Sequence, residues 1–561
     1  MPDLILYNGR LLTQDPNFPQ ATALAIHGNR FLAVGSDADI RPLARPHTRL
    51  IDLGGRLALP GLTDAHFHFY DWALGLRRLP LADTTSLSDL RQRLAQRVSE
   101  TPPGHWILGQ GWNETRWPDP HIPTHADLDD LAPDHPAILW RNDMHLAVVN
   151  SNALREADIT GDTLDPPEGV IDRDESGRPT GVLRELAINL IRDVIPPPTE
   201  QEAVEAMREG LPLLHRLGLT GVHDCRIMGG ADGPPAFQAY QRLQAAGELA
   251  LRLWMHIPGE RLNEAIALGL RSGFGNDRLR VGHVKFFADG GQGARTAWML
   301  EPYEDTGECG MPLTPMAEIA EAVRRADQAG LAVAIHSIGD RANRELLTVF
   351  EGFDTPTATQ PKQLKTRNQK PETHIPHRIE HVQMIRPDDV SRLARLGIVA
   401  SVQPIHVTDD IPMVEQSVGS RRRFAYPFRD MLDAGVTLAF GSDAPVADPN
   451  PLWGIHAAVT RQRRDGTPPG GWCPEQRLTV AEAVWGFTMG PALASGRDAD
   501  LGSITPGKLA DLVVLDRDIL STALRLGSGQ GSRHRFAIEP IEIAQTQVVM
   551  TVFDGRVVYQ R

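Results

Sequence analysis

From about residue 200 onward the chain repeats one pattern: an amphipathic stretch, then a short apolar run. Glu202 to Leu217 carries apolar residues at helical spacing and leads into Thr220-Gly221-Val222-His223-Asp224. Further apolar runs follow at Leu249–Met255, Val281–Phe287, Leu331–His336, His377–His381, Ile398–Val402 and Val436–Asp443. Helical stretches such as Met316 to Ala329, Asp388 to Leu396 and Tyr426 to Ala434 lie between them. The apolar run Leu57-Ala58-Leu59-Pro60, just before His66, supplies an eighth strand. Eight strands alternating with helices predict an α/β fold, a (β/α)8 TIM-like barrel.

The two ends of the chain read differently. Leu4-Ile5-Leu6-Tyr7 runs into Asn8-Gly9, a hairpin-type turn, and Ala23–Ile26 turns through His27-Gly28-Asn29-Arg30 into Phe31–Val34. Near the other end, Leu512–Leu515 and Val548–Phe553 are strands, and Asp554-Gly555 turns into Arg556–Tyr559. Neither end has enough strands for a stable sheet domain. Residues 1–60 and 497–561 are therefore expected to build one composite β-sandwich, with the barrel in 61–82 plus 200–496. Residues 83–199, rich in Pro, Asp, Trp and His and poor in regular alternation, read as an insertion after strand 1 that covers the active site. The stretch 354–376, full of Thr, Gln, Lys and Pro, is expected to be a mobile loop.

In a barrel of this kind chemistry sits at the C-terminal ends of the strands. Polar residues gather there. His66 and His68 follow strand 1, and residues two apart on an extended chain point the same way, so both imidazoles can meet one metal ion. Lys285 lies in strand 4, His336 ends strand 5, His381 ends strand 6 and Asp443 ends strand 8. Any one of these could be an ordinary strand-end residue, but the set together points to a metal centre.

These motifs, with Val284-Lys285-Phe286-Phe287-Ala288-Asp289-Gly290, Ile335-His336-Ser337-Ile338-Gly339-Asp340-Arg341, Ile379-Glu380-His381 and Gly441-Ser442-Asp443-Ala444-Pro445, carry a resemblance. The sequence resembles the amidohydrolase superfamily over nearly its whole length, within it the amidohydrolase 3 group that includes N-substituted formamide deformylases. The resemblance implies one divalent metal ion held by His66, His68 and Asp443, and a second held by His336 and His381. It implies that Lys285, carboxylated by carbon dioxide, bridges the two. A carbamate offers two oxygens and a negative charge where an ammonium group cannot ligate. The other reading of Lys285 is a buried lysine paired with Asp289 or another acid. The imidazole-rich set suits Zn2+, with Fe2+, Mn2+ and Ni2+ as alternatives.

The implied reaction is hydrolysis of a small non-peptide carbon–nitrogen amide bond, an N-substituted formamide among the candidates. Metal binding brings the pKa of water down to about 7, and Asp443 is the catalytic acid–base that moves the proton to the departing amine. Asp443 also reads as a helix cap. Many deaminases of the superfamily carry Glu three residues after the strand-5 His. Gly339 stands there, which argues against base or nucleoside deamination. Cys225, just past strand 2, is either an apolar filler or a metal ligand of the kind some D-aminoacylases use, and Asp224 is a further candidate should Lys285 not bridge. Expected substrate contacts are Trp112, Asn113, Arg141 and His145 in the insertion, and Asp289, Arg295 and His406 on loops after strands 4 and 7. Trp112 would form an apolar wall. A hydrolase of cyclic amides or N-acyl amino acids, and a catalytically inactive barrel used as an assembly module, are the rival readings.

Composition bounds the rest. A chain of 561 residues exceeds one simple core, and a net charge of −14 disfavours nucleic acid and anionic membrane as partners. Three cysteines without a spacing pattern fit a reducing compartment, and the opening residues show no basic region or long apolar run. The expectation is a cytoplasmic enzyme of a small-molecule amide, with a homodimer as one possible assembly.

Overall fold

Strands flanked by helices on a barrel's outside are buried on both faces, and their sequences are apolar without alternation. In the computed structural model, eight such strands lie side by side in chain order, each parallel to the next: Leu62–Phe67, Leu219–Asp224, Arg252–Pro258, Leu279–Phe287, Val333–Ser337, Arg378–His381, Val399–Val402 and Leu438–Phe440. A parallel bridge between Phe67 and Ala444 brings the end of the last strand back to the first and closes the barrel. The structure describes residues 1–114, 117–141, 146–166, 169–354, 375–521 and 539–561. Most of the stretch read as a mobile loop, 355–374, lies outside the described residues.

The first barrel strand is not the run expected. Leu57–Pro60 belongs to the sandwich, where it pairs antiparallel with Leu512–Leu515 and parallel with Arg10–Leu12. The barrel strand is Leu62–Phe67, so His66 sits within it. Both runs are apolar and only Gly61 parts them. A Cβ on Gly61 would lie 2.2 Å from Thr220 Oγ1 and 2.9 Å from Asp511 Cβ, so the crossing between the sheets needs glycine.

The sandwich draws on both ends of the chain. One sheet runs Arg30–Gly35, Ala23–His27, Leu4–Tyr7, Arg49–Asp52; the other runs Arg556–Gln560, Val548–Phe553, Leu512–Leu515, Leu57–Pro60, Arg10–Leu12, Gln20–Ala21. Leu4, Leu6, Leu24 and Phe31 share one buried core with Leu512, Val514, Met550 and Val552. The turns at His27–Arg30 and Asp554-Gly555 join paired strands. Asn8-Gly9 does not: Leu4–Tyr7 pairs in the first sheet and Arg10–Leu12 in the second. Asn8 has φ +54°, and an Asn-Gly pair serves a corner between sheets as readily as a hairpin. Arg252 of the third barrel strand anchors the sandwich, bonding both oxygens of Asp511 at 2.6 and 2.9 Å and Asp554 at 3.0 Å.

A second unit spans Ala73–Ala206. It is more regular than its sequence suggests. A six-stranded mixed sheet runs Gly169–Arg173, Pro179–Glu185, Leu146–Val149, Ala137–Arg141, Ile107–Trp112, Leu79–Pro80. Its alternation is obscured by Gly111, at φ +105° in an irregularity between Gln110 and Trp112. Helix Leu87–Glu100, capped by Ser86, buries Leu90 and Leu94 against this unit's own core. Among the described residues no helix is long and apolar enough to cross a membrane.

Candidate metal centre

Two histidines two residues apart and an acid from the last barrel strand's end meet at one point. His66 Nε2 and His68 Nε2 lie 3.3 and 3.1 Å from the same oxygen, Asp443 Oδ1. Ligand atoms about 2.0–2.1 Å from a tetrahedral ion stand roughly 3.3 Å from one another, so this trio has the spacing of a metal cradle. The backbone is built to hold it. Asp443 N donates to His66 O at 2.7 Å and His68 N to Ala444 O at 2.9 Å. Buried Asp64 accepts from His66 N at 3.0 Å and from Ser442 N at 3.0 and 3.1 Å, stitching strand 1 to strand 8; burial pushes its carboxyl up to about 7. Gly441 permits this approach, because a Cβ there would lie 2.4 Å from His66 N. Asp443 has φ +62° and His381 φ +72°, left-handed conformations that cost energy and persist only where surroundings enforce them. The helix after strand 8 begins at Pro451 and is capped by Asn450, so Asp443 is not a helix cap.

His336 and His381 stand beside this trio. Their ring centroids are 4.5 Å apart, and His381 lies 4.8 Å from His66. His381 Nδ1 lies 2.8 Å from Gln403 Oε1, and His336 Nε2 lies 3.4 Å from the Gly290 carbonyl. Burial and then the charge of Lys285 bring His336 down to about 3; burial, with His336 and His66, brings His381 well below the usual range. Both are thus neutral at pH 7, the ligating form. Burial favours charge on neither Asp443 nor His66, yet each outweighs it: His66 and His68 hold the Asp443 carboxyl well below its usual range, and Cys225, Asp443 and Glu380 raise His66. Lys285 is buried, with Nζ 5.0 Å from the Phe287 ring centroid.

The remaining sequence candidates divide. Asp289 is fully buried and accepts N–H bonds from Trp298, Ile338 and Gly339 at 2.8, 2.9 and 2.8 Å, so its oxygens brace two loops rather than pairing with Lys285 or facing a substrate. Arg295 bonds Asp305 and the Gln292 and Gly293 carbonyls, bracing its own loop. Asp224 accepts from Phe69 N and Tyr240 OH and pairs with Arg226, which leaves it no role as a bridging ligand. Cys225 is buried, 3.7 Å from His256 Nδ1, and lies with His66 and Glu380 in a second group of ligand-type atoms. His406 lies on helix Pro404–Asp409, and its Nε2 is buried with no hydrogen-bond partner among the described residues.

In the second unit, Trp112 is a core residue: it is fully buried, donates to Leu139 O at 2.9 Å and packs on Trp117, so it is no exposed apolar wall. Arg141 bonds both oxygens of Glu114, at 2.8 and 2.9 Å. Asn113 follows strand Ile107–Trp112, and His145 lies outside the described residues.

Sequence reasoning assigned no role to Asp64, Gln403, Arg378 or Glu380. Glu380 Oε2 lies 2.6 Å from His66 Nδ1. Burial alone would raise its carboxyl, but Arg378 and His66 hold it well below the ordinary range. The signal was present: Arg378 and Glu380 are two apart in the fully buried barrel strand Arg378–His381, hence on one face. Gly339 also gains a reason. A Cβ there would lie 2.0 Å from Trp298 O, so no glutamate fits at that place.

Comparison with known proteins agrees in outline. The family model described as "Amidohydrolase family" matches residues 49–559. Protein LONG AFTER FAR-RED 3 of Arabidopsis thaliana is 33% identical, over 91% of this chain and 87% of its own. An N-substituted formamide deformylase of Arthrobacter pascens is 28% identical over 100% and 99%. The crystal structure of an uncharacterized metal-dependent hydrolase from Pyrococcus horikoshii superposes with a TM-score of 0.76 at 27% identity, covering 92% of this chain and 98% of that one.

Proposed function

The chain belongs to the amidohydrolase family, and on that premise we propose that it hydrolyses a small non-peptide amide, with N-substituted formamides as the substrate class. The observation that carries the reading is the trio of His66 Nε2, His68 Nε2 and Asp443 Oδ1 at metal-ligand spacing beside two neutral imidazoles. The full-length likeness to a formamide deformylase supports the substrate class. The donor set fits Zn2+.

His66, His68 and Asp443 would hold one ion and His336 and His381 the other, with carboxylated Lys285 between them. Bound metal supplies Lewis acidity toward the amide carbonyl and toward the attacking water. Asp443, kept ionised by His66 and His68, takes the water proton on its carboxylate and returns it to the amine nitrogen as the C–N bond breaks. His66 and His68, tied to the backbone around Ala444, hold that carboxylate in place.

The test is a panel of N-substituted formamides, cyclic amides and N-acyl amino acids offered to protein of measured metal content. Formate release from a formamide, lost with chelator and restored by Zn2+, is the expected result. Turnover confined to cyclic amides or N-acyl amino acids replaces the substrate class. Metal-loaded protein inert toward the whole panel favours the non-catalytic reading.

A further inference from the structure

Beneath the metal trio lies a buried polar chain that hydrolysis itself does not require. His66 and Glu380 are 1% and 0% exposed, and Glu380 Oε2 sits 2.6 Å from His66 Nδ1. Arg378, also fully buried, takes both Glu380 oxygens, Nε on Oε1 and Nη2 on Oε2. The guanidinium is itself fixed: Nη2 also reaches Ser401 Oγ at 2.6 Å and Nη1 lies 2.8 Å from His223 Nδ1. A bidentate Arg–carboxylate pair keeps the acid in its ionised form, and an ionised carboxylate only accepts hydrogen bonds. His66 Nδ1 must then carry the hydrogen. When a metal ion replaces any proton on Nε2, an imidazole that keeps its hydrogen on Nδ1 is neutral and ligates through the one lone pair on Nε2, the atom 3.3 Å from Asp443 Oδ1.

We propose that Glu380 is a positioning residue that fixes His66 in the Nδ1–H tautomer and so presents Nε2 as a ready metal ligand. The inference rests on the metal-centre reading above, though not on the substrate class. Glu380 is not a ligand itself, although it lies within ligand distance of Cys225 and His66. Both of its oxygens are taken, by Arg378 and by His66. A merely structural account, with Glu380 as counter-charge to Arg378, predicts an effect on folding alone. The positioning account predicts an effect on the metal.

Glu380→Gln separates them. Its amide oxygen turns to Arg378, which leaves an NH2 donor facing His66 Nδ1 and moves the imidazole hydrogen to Nε2. Losing such an outer partner costs about 10–100-fold in metal affinity. The measurement is Zn2+ affinity of the full chain by chelator competition, with the visible spectrum of the Co2+-loaded protein and the melting temperature of the metal-free protein. Weaker Zn2+ binding in that range, altered Co2+ bands and a melting temperature near wild type are expected. Glu380→Asp keeps the counter-charge to Arg378 and should restore part of the affinity; where the Gln variant does not fold, the Asp variant carries the test by an affinity between wild type and metal loss. Wild-type affinity and Co2+ bands in a folded variant overturn the proposal and leave the amide-hydrolase reading standing. A wild-type protein that binds no Zn2+ overturns both. Altered metal binding in a protein that hydrolyses no amide supports the proposal while the substrate reading falls.

Discussion

Asp443 sits at φ +62°, where asparagine is among the few residues at ease. Asp443→Asn therefore removes the proton acceptor without adding backbone strain. The fold and much of the metal should remain while kcat falls about 10²–10⁴-fold; near wild-type kcat in the metal-loaded variant would remove Asp443 from the acid–base role. Lys285 invites the complementary test. Its charge lowers His336 and His381, whereas a carbamate would bind the ions proposed for them. Lys285→Ala should lose metal and activity together, with some of both restored by a small carboxylic acid; full metal retention would sink the bridge. At this scale the candidate ligands, which the fold brings to one place, were legible because spacing and strand-end position mark them. Glu380 was harder to see, since an acid next to a ligand histidine reads as part of the motif until its face of the strand is known.

The strands and helices were legible from their periodicity, but their junctions were not. Gly61 separates two apolar runs that belong to different sheets, and only the crowding against Thr220 and Asp511 reveals the crossing. Asp289 shows the same limit for loops: its three backbone donors come from residues 298, 338 and 339, far apart in sequence. Asp289→Asn has one acceptor oxygen for those three donors. Each unsatisfied buried group costs about 1–3 kcal/mol, so the variant should melt well below wild type. The pH dependence has a definite sign. Burial raises the folded pKa to about 7, above the ordinary value near 3.8, so the aspartate's contribution is complete below about pH 4 and is lost as pH rises to 7. The wild type's margin over Asp289→Asn should shrink across pH 5–7, by at most about 1.4 kcal/mol per unit. A margin that grows over that window would contradict the assignment.

At the scale of the molecule, the sandwich couples the two ends of the sequence. Leu512 is fully buried against Leu4, Leu6 and Phe31. Leu512→Ala should cost about 2–5 kcal/mol, and hydrogen exchange should speed up in strands Leu4–Tyr7 and Ala23–His27 as well as in Leu512–Leu515. Faster exchange confined to the C-terminal strands would mean two separate cores. The composite was foreseeable because each end is short of strands. The sheet of the Ala73–Ala206 unit was not, since its glycines break the alternation a reader depends on.

The closure of strand 8 onto strand 1 also sets a clock. His68 and Asp443 are separated by 375 positions along the chain. At about 5–20 residues per second, roughly 20–75 s of translation part the first proposed ligands from the last. On the proposed ligand assignment, His66 and His68 would throughout that interval be two imidazoles without their acid, able to hold an ion only loosely. Tight retention of metal at the proposed centre would then be a late event in the life of a nascent chain, governed by whichever ion is at hand when Asp443 arrives.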